Sequence, residues 1–138
     1  MARFLVDKSA ITRGRLSPEV EEVLRPLLTA GDVATCGMID LEVLYSATSP
    51  ATYAGITGFL RALPRVRMTE AIFDRALDVQ ADLAERSQHR GVSLPDLLVA
   101  AAAESAGLTV LHYDADYDRI AELTGQPTRW VVPRGSVD

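Results

Sequence analysis

Ser93-Leu94-Pro95-Asp96-Leu97-Leu98-Val99-Ala100-Ala101-Ala102-Ala103, followed by Thr109-Val110-Leu111-His112-Tyr113-Asp114-Ala115-Asp116-Tyr117-Asp118, decides how the chain is read. The first half opens a helix: Ser93 and Asp96 have the form of a capping box, and Pro95 sits in a first turn that needs no N–H from it. Residues 97–103 are apolar on nearly every side, so the helix is expected inside the molecule. Asp96 shares its side of that helix with Val99, Ala100 and Ala103. A carboxylate in such company needs a partner, a proton or a metal. The second half reads as a buried strand ending in a cluster of acids. Parallel α/β folds place their chemistry beyond the carboxyl ends of strands, so both halves aim carboxylates at one region.

Upstream, Arg3–Val6 is a short apolar strand ending at Asp7, and Ser9 is placed to cap a helix over residues 10–15. Ser17-Pro18-Glu19 starts a helix that Gly31 stops, and Val33–Cys36 is a second strand. Residues 38–47 read as a helix carrying Leu41, Leu44 and Tyr45 on one face, with Glu42 inside it. Helices over 51–63 and from Thr69-Glu70 through Ala84 flank a weak third strand at 66–68. Beyond the Asp96 helix and its closing Gly107, strands over 109–113 and 129–132 flank a helix at 117–123. Five short apolar strands alternating with helices predict an α/β fold: a parallel sheet covered on both faces, in a single domain over residues 1–138.

The composition sets bounds. A chain of 138 residues can bury a real core. Its longest apolar run, Leu97–Ala103, falls far short of the roughly 20 residues of a membrane span. An acid interrupts the N-terminal apolar stretch at Asp7, unlike a signal peptide. The single cysteine, Cys36, rules out an internal disulfide and suits a reducing, cytoplasmic setting. A net charge of −5 argues against coating nucleic acid by bulk attraction. Of the 14 basic residues only Lys8 is lysine, and arginine forks can still form a selective phosphate-binding rim.

Asp7, Glu42, Asp96 and the pair Asp114 and Asp116 come from four separate segments. Each has an ordinary reading by itself: a helix cap, a solvated helix acid, a loop. Gathered without a cation, each pair about 4 Å apart would repel by about 4 kcal/mol at an effective dielectric of 20. Meeting in one pocket therefore requires a divalent ion, and oxygen-only ligands point to Mg²⁺ or Mn²⁺. Asp118 is expected to play a local role beside Arg119, His112 to be a core or supporting residue, and His89 to be exposed. Asp114–Asp118 imitates an EF-hand start, but Arg119 and Gly125 stand where the glycine and the bidentate acid belong. No Walker or G-x-G-x-x-G motif is present, and neither histidine has a G-x-S-x-G serine to serve.

Asp7 after strand one, Glu42 in the helix after strand two, Leu94-Pro95-Asp96-Leu97-Leu98-Val99-Ala100-Ala101 and Leu111-His112-Tyr113-Asp114-Ala115-Asp116-Tyr117-Asp118 together resemble PIN-domain proteins. In size and coverage the chain looks like the VapC toxins of VapBC toxin–antitoxin pairs. The resemblance implies a three-layer PIN-like domain with a five-stranded parallel sheet, and a Mg²⁺- or Mn²⁺-dependent endoribonuclease. It also implies a cognate VapB-type antitoxin and a homodimer. By position Asp7, Glu42, Asp96 and Asp114 match the family's core acids, Asp116 its additional acid, and Ser9 a hydroxyl that supports the first. Asp7, Asp96, Asp114 and Asp116 are the metal candidates. Hydrolysis leaving a 5′-phosphate and a 3′-hydroxyl is what the resemblance implies.

Lys8 departs from the small or polar residue many relatives carry there. It either points away from Asp7 or touches substrate phosphate. Arg13, Arg15, Arg86 and Arg90 are candidates for RNA backbone contacts. Surplus apolar residues on the 51–63 and 70–84 helices suggest a groove for a partner helix. Two rival classes remain. A receiver domain needs an acid ending strand three and a lysine after strand five, but Met68-Thr69-Glu70 and Pro133-Arg134 stand there. A non-catalytic PIN module would be expected to lack some of the acids.

Overall fold

The alternation of strands and helices builds one sheet. The computed structural model describes residues 1–138. Strands β1 (Phe4–Val6), β2 (Val33–Cys36), β3 (Arg65–Val66), β4 (Thr109–His112) and β5 (Thr128–Trp130) run parallel in the order β3-β2-β1-β4-β5. Consecutive residues of β1 and β2 point to opposite faces, yet all of them are buried, so helices cover both sides. The helices are α1 (Lys8–Gly14), α2 (Pro18–Thr29), α3 (Gly37–Tyr45), α4 (Pro50–Arg61), α5 (Glu70–Glu85), α6 (Leu94–Ala106) and α7 (Asp116–Thr124). A 3₁₀ turn, His89–Gly91, links α5 to α6. The core is a single cluster of 32 buried apolar residues.

This order places β1 at the centre. From β1 the chain moves outward to one side through β2 and β3, then crosses back to lay β4 on the other side. The crevice between the carboxyl ends of β1 and β4 is thus the switch point where open parallel sheets bind ligands. Receiver-type sheets run 2-1-3-4-5, so the topology excludes that rival.

The α6 helix is the element the sequence predicts, and it lies in the core. Leu97 and Val99–Ala103 are all buried, and Gly107 ends the helix at φ 68°, a backbone conformation that favours glycine. The bidentate pair Arg75–Glu104, at 2.7 and 3.2 Å, ties α5 to α6.

Several local readings are corrected. Asp7, not Ser9, caps α1, which starts at Lys8, because the Asp7 carboxylate accepts the Ser9 N–H. On α3 the core takes Ile39 and Val43, leaving Leu41 and Tyr45 exposed. That helix is apolar nearly all round, so spacing alone does not select a face. The edge strands β3 and β5 begin a residue earlier than expected and are short. Short edges are one way a sheet discourages pairing with other chains.

Candidate metal centre

Asp7 follows the last residue of β1, and its N–H bonds the Leu111 carbonyl of β4 at 2.9 Å. Its Oδ2 accepts from Ser9 N at 3.0 Å and Ser9 Oγ at 2.6 Å. Ser9 Oγ in turn accepts from Tyr113 N at 2.8 Å, so this hydroxyl joins the ends of the two central strands. The other oxygen of Asp7 accepts from the Tyr117 hydroxyl at 2.7 Å, and that hydroxyl lies 3.1 Å from Asp96 Oδ1. Tyr117, fully buried on α7, stands between the two carboxylates. Burial pushes its own ionisation well above the ordinary range, so it stays a donor.

The first turn of α6 explains how Asp96 is freed for the site. Ser93 Oγ accepts Asp96 N at 3.3 Å, one half of the expected capping box. The other half is not closed by Asp96. Asp116 Oδ2 takes the Ser93 N–H instead, at 3.0 Å, leaving the Asp96 carboxylate to point at the other acids. Asp114 Oδ1 accepts the N–H of Asp116 at 2.9 Å, a local turn that brings these two side chains together. Carboxylate oxygens of Asp96, Asp114 and Asp116 all lie within 4.8 Å of one another.

Glu42 approaches from α3. Lys8 Nζ lies 3.4 Å from its Oε2, and only 12% of the glutamate side chain is exposed. Its Oε1 is buried without a partner. Burial raises the Glu42 carboxyl, Asp7 adds to the rise, and Lys8 opposes it. For Asp96 burial is again the largest cause, followed by a hydrogen bond to Asp116 and the charges of Asp7 and Asp114. Together they lift it to about 9. Such a carboxyl keeps its proton at neutral pH because the alternative is a buried negative charge crowded by its neighbours.

His112, the last residue of β4, is buried, and burial lowers its pKa. Its Nδ1 accepts Asp114 N at 3.1 Å, which puts the proton of the neutral ring on Nε2. Nε2 has no polar partner, and the ring packs against Tyr117 and Trp130 at 4.9 and 5.0 Å. The imidazole thus fixes the backbone that presents Asp114. Asp118 is turned away, accepting from Trp130 Nε1 at 3.1 Å rather than pairing with Arg119.

The expected acids thus divide. Asp96, Asp114 and Asp116 form the compact set; Asp7 joins it through Tyr117, and Glu42 stands beside it with Lys8. Of the basic candidates, Lys8 and Arg13 line a cleft that includes Asp114. Arg15 instead lines a groove on another face, while Arg86 and Arg90 are exposed at the end of α5 and in the 3₁₀ turn. Sequence reasoning missed Tyr117. Its signal is a tyrosine on the apolar side of a helix opened by acids, whose hydroxyl needs a buried partner.

The donor set suits a hard divalent cation. It is all oxygen, burial and crowding together hold a proton on Asp96, and beside it lies a buried orphan oxygen on Glu42. The cluster is compatible with a divalent metal held by Asp96, Asp114 and Asp116.

Comparison with known proteins agrees with this arrangement. The PIN domain family model matches residues 4–123. Ribonuclease VapC51 of Mycobacterium tuberculosis is 47% identical over 137 residues, covering 99% of this chain and 98% of the relative. Ribonuclease VapC18 of the same organism is 43% identical, covering 97% and 98%. The DNA-bound VapBC complex from Salmonella typhimurium contains a chain with the same fold, at TM-score 0.77 and 20% identity, covering 96% of this chain and all of that one. A toxin–antitoxin complex from Klebsiella pneumoniae gives TM-score 0.71 at 16% identity, covering 96% and 98%. With a family model over most of its length and full-length relatives above 40% identity, the chain belongs to the PIN-domain family, among the members that carry the VapC name.

Proposed function

We propose that this chain is an endoribonuclease that hydrolyses RNA phosphodiester bonds with Mg²⁺ or Mn²⁺. The observation that carries the reading is the set of three carboxylates within 4.8 Å, at the switch point of the sheet, in a chain whose full-length relatives are named ribonucleases. Oxygen-only ligands favour Mg²⁺ or Mn²⁺ over zinc or copper. Asp96, Asp114 and Asp116 would hold the ion. When bound, it acidifies water and offsets the charge of the scissile phosphate.

The protein's own groups do the rest. Ser9 and Tyr117 hold both oxygens of Asp7, so that carboxylate is fixed as a negative wall of the site. His112 anchors the turn of Asp114. Glu42 Oε1, without a partner, is the group available to orient water or accept its proton, while Lys8 steadies the other oxygen.

The test is cleavage of RNA by the purified chain with Mg²⁺, with Mn²⁺ and with chelator. Asp96→Asn and Asp7→Asn are expected to stay folded and to lose activity by about 100-fold or more. Cleavage by Asp96→Asn at the wild-type rate would falsify the assignment.

A small antitoxin partner belongs to the same reading. A groove of about 530 Å³ between α1, α2 and α4 is lined by Ile11, Leu24, Leu28, Ile56 and Phe59, with Arg15 and Arg25 also at its wall. It suits the apolar face of an amphipathic helix. The α5 helix, expected to share this groove, takes no part in it. Leu41 and Tyr45 on α3, and Phe73 and Leu77 on α5, are exposed and are the candidates for a homodimer contact. Tyr45→Asp with Leu77→Asp is expected to halve the solution mass measured by light scattering.

A further inference from the structure

The ends of β4 and β5, the outer side of α1 and the chain after β5 enclose an open cleft of about 660 Å³. Lys8 and Arg13 enter it from α1, Tyr113 and Asp114 from beyond β4, Trp130 from β5 and Arg134 from the segment after it. Asp114 also belongs to the acid cluster, so the cleft opens directly onto the candidate metal centre.

Its chemistry is opposite to that of the molecule as a whole. The chain carries 19 acids against 14 bases, yet this depression gathers its only lysine and two arginines around one carboxylate. Neither arginine forms an ion pair. Each lies over an aromatic ring instead: Arg13 is 4.3 Å from the Tyr113 centroid and Arg134 is 5.6 Å from the Trp130 centroid. A ring beneath a guanidinium restrains its plane without consuming its charge, and Arg134, which makes no hydrogen bond, keeps its edge free for a planar, bidentate anion. Arg13 is held further, donating from Nε to the Asp138 main-chain oxygen at 3.1 Å and from Nη1 to the Ser9 carbonyl at 3.5 Å, which leaves Nη2 for an anion. Two pre-set guanidinium groups beside a nuclease centre suit neighbouring phosphates, and the half-buried indole at the cleft wall offers apolar surface to a base.

We propose that this cleft seats the single RNA strand next to the scissile phosphate, with Arg13 and Arg134 each gripping one backbone phosphate and Trp130 lying against the strand. The assignment rests on reading the chain as a ribonuclease, and it gives the substrate a direction of entry, past β5 toward Asp114. The grip also offsets the repulsion that five carboxylates exert on an approaching polyanion.

Trp130 is the only tryptophan, so its fluorescence reports occupancy of the cleft directly. The full chain, held in chelator so that nothing is cut, is titrated with a mixed-sequence oligoribonucleotide. Wild type is expected to show saturable quenching. At 0.1 M salt, Arg13→Ala and Arg134→Ala are each expected to bind about fivefold more weakly, with the slope of log K against log salt reduced by about 0.7. Arg134 is exposed and makes no hydrogen bond, so Arg134→Ala leaves the fold intact; Arg134→Lys restores the salt slope but only part of the affinity. Exposed Arg61→Ala, on α4, changes neither quantity. With metal present, Arg134→Ala raises KM and leaves kcat unchanged.

Wild-type affinity and salt slope in both Arg134→Ala and Arg134→Glu overturn the proposal. So does a glutamate-rich peptide that quenches Trp130 where RNA does not. A chain that binds with the expected slopes but cuts no RNA with either ion supports the cleft and refutes the nuclease reading. A chain that cuts RNA while the Arg134 variants bind unchanged refutes the cleft alone.

Discussion

At the scale of single residues, the site is a problem of crowded charge solved with one hydroxyl, one serine and one proton. Tyr117 donates to Asp7 at 2.7 Å and lies 3.1 Å from the protonated Asp96, and a hydrogen bond to a charged group contributes about 1.5–3 kcal/mol. Tyr117→Phe is therefore expected to destabilise the metal-free chain by about 2 kcal/mol in urea melts. It should also enlarge the stabilisation by Mn²⁺, because the ion then screens charges the hydroxyl no longer does. The pH dependence comes from Asp96. Its folded carboxyl is raised to about 9, above the value of about 3.9 in an unfolded chain, so the native state binds more protons between those limits. That contribution is full in acid and is lost as pH rises through the window. Metal-free stability, measured by denaturant titration, should fall from pH 5 to pH 9, and saturating Mn²⁺ should flatten the slope. The acids were legible in the sequence because carboxylates on apolar faces stand out. Tyr117 and the Lys8–Glu42 pair were not, since both depend on how separate helices approach each other.

At the scale of elements, α6 is the instructive case. Its buried character, its cap and its glycine stop all derive from local sequence, and all are present. What local sequence could not supply is that Asp116, 23 residues downstream, takes the Ser93 N–H and releases Asp96 from capping. Ser93→Ala removes the acceptor for Asp96 N and is expected to cost about 1 kcal/mol in thermal or chemical unfolding. It should also weaken Mn²⁺ binding in calorimetry, because the first turn then presents Asp96 less rigidly. Asp116→Ala strikes both the cap and the acid set, so its loss of metal affinity should exceed that of Ser93→Ala. The α3 helix fails in the opposite way. Apolar on most sides, it offers no periodic signal, and only the packed structure decides that Ile39 and Val43 go inward while Tyr45 stays 92% exposed.

At the scale of the whole molecule, the order β3-β2-β1-β4-β5 brings the first strand against the fourth and converts scattered acids into one centre. The alternation of strands and helices foretold a parallel sheet, and the family resemblance its five strands, but strand order is a long-range property that no short motif encodes and only the folded chain shows it. A cation bound across α6 and the ends of β1 and β4 should act on the global equilibrium. At about 100 times its Kd it adds about 2.7 kcal/mol, which calorimetric scans with and without Mn²⁺ will register, and Asp114→Asn should abolish that shift. The pairing of β1 with β4 has a further consequence during synthesis. Asp7 leaves the ribosome well ahead of β4, yet Ser9 and Tyr117, which orient it, find their counterparts only after residues 109–117 have emerged. A nascent or prematurely terminated chain ending before Thr109 therefore carries Asp7 and Asp96 but no assembled centre. The acid cluster comes together in one late step, when the fourth strand docks.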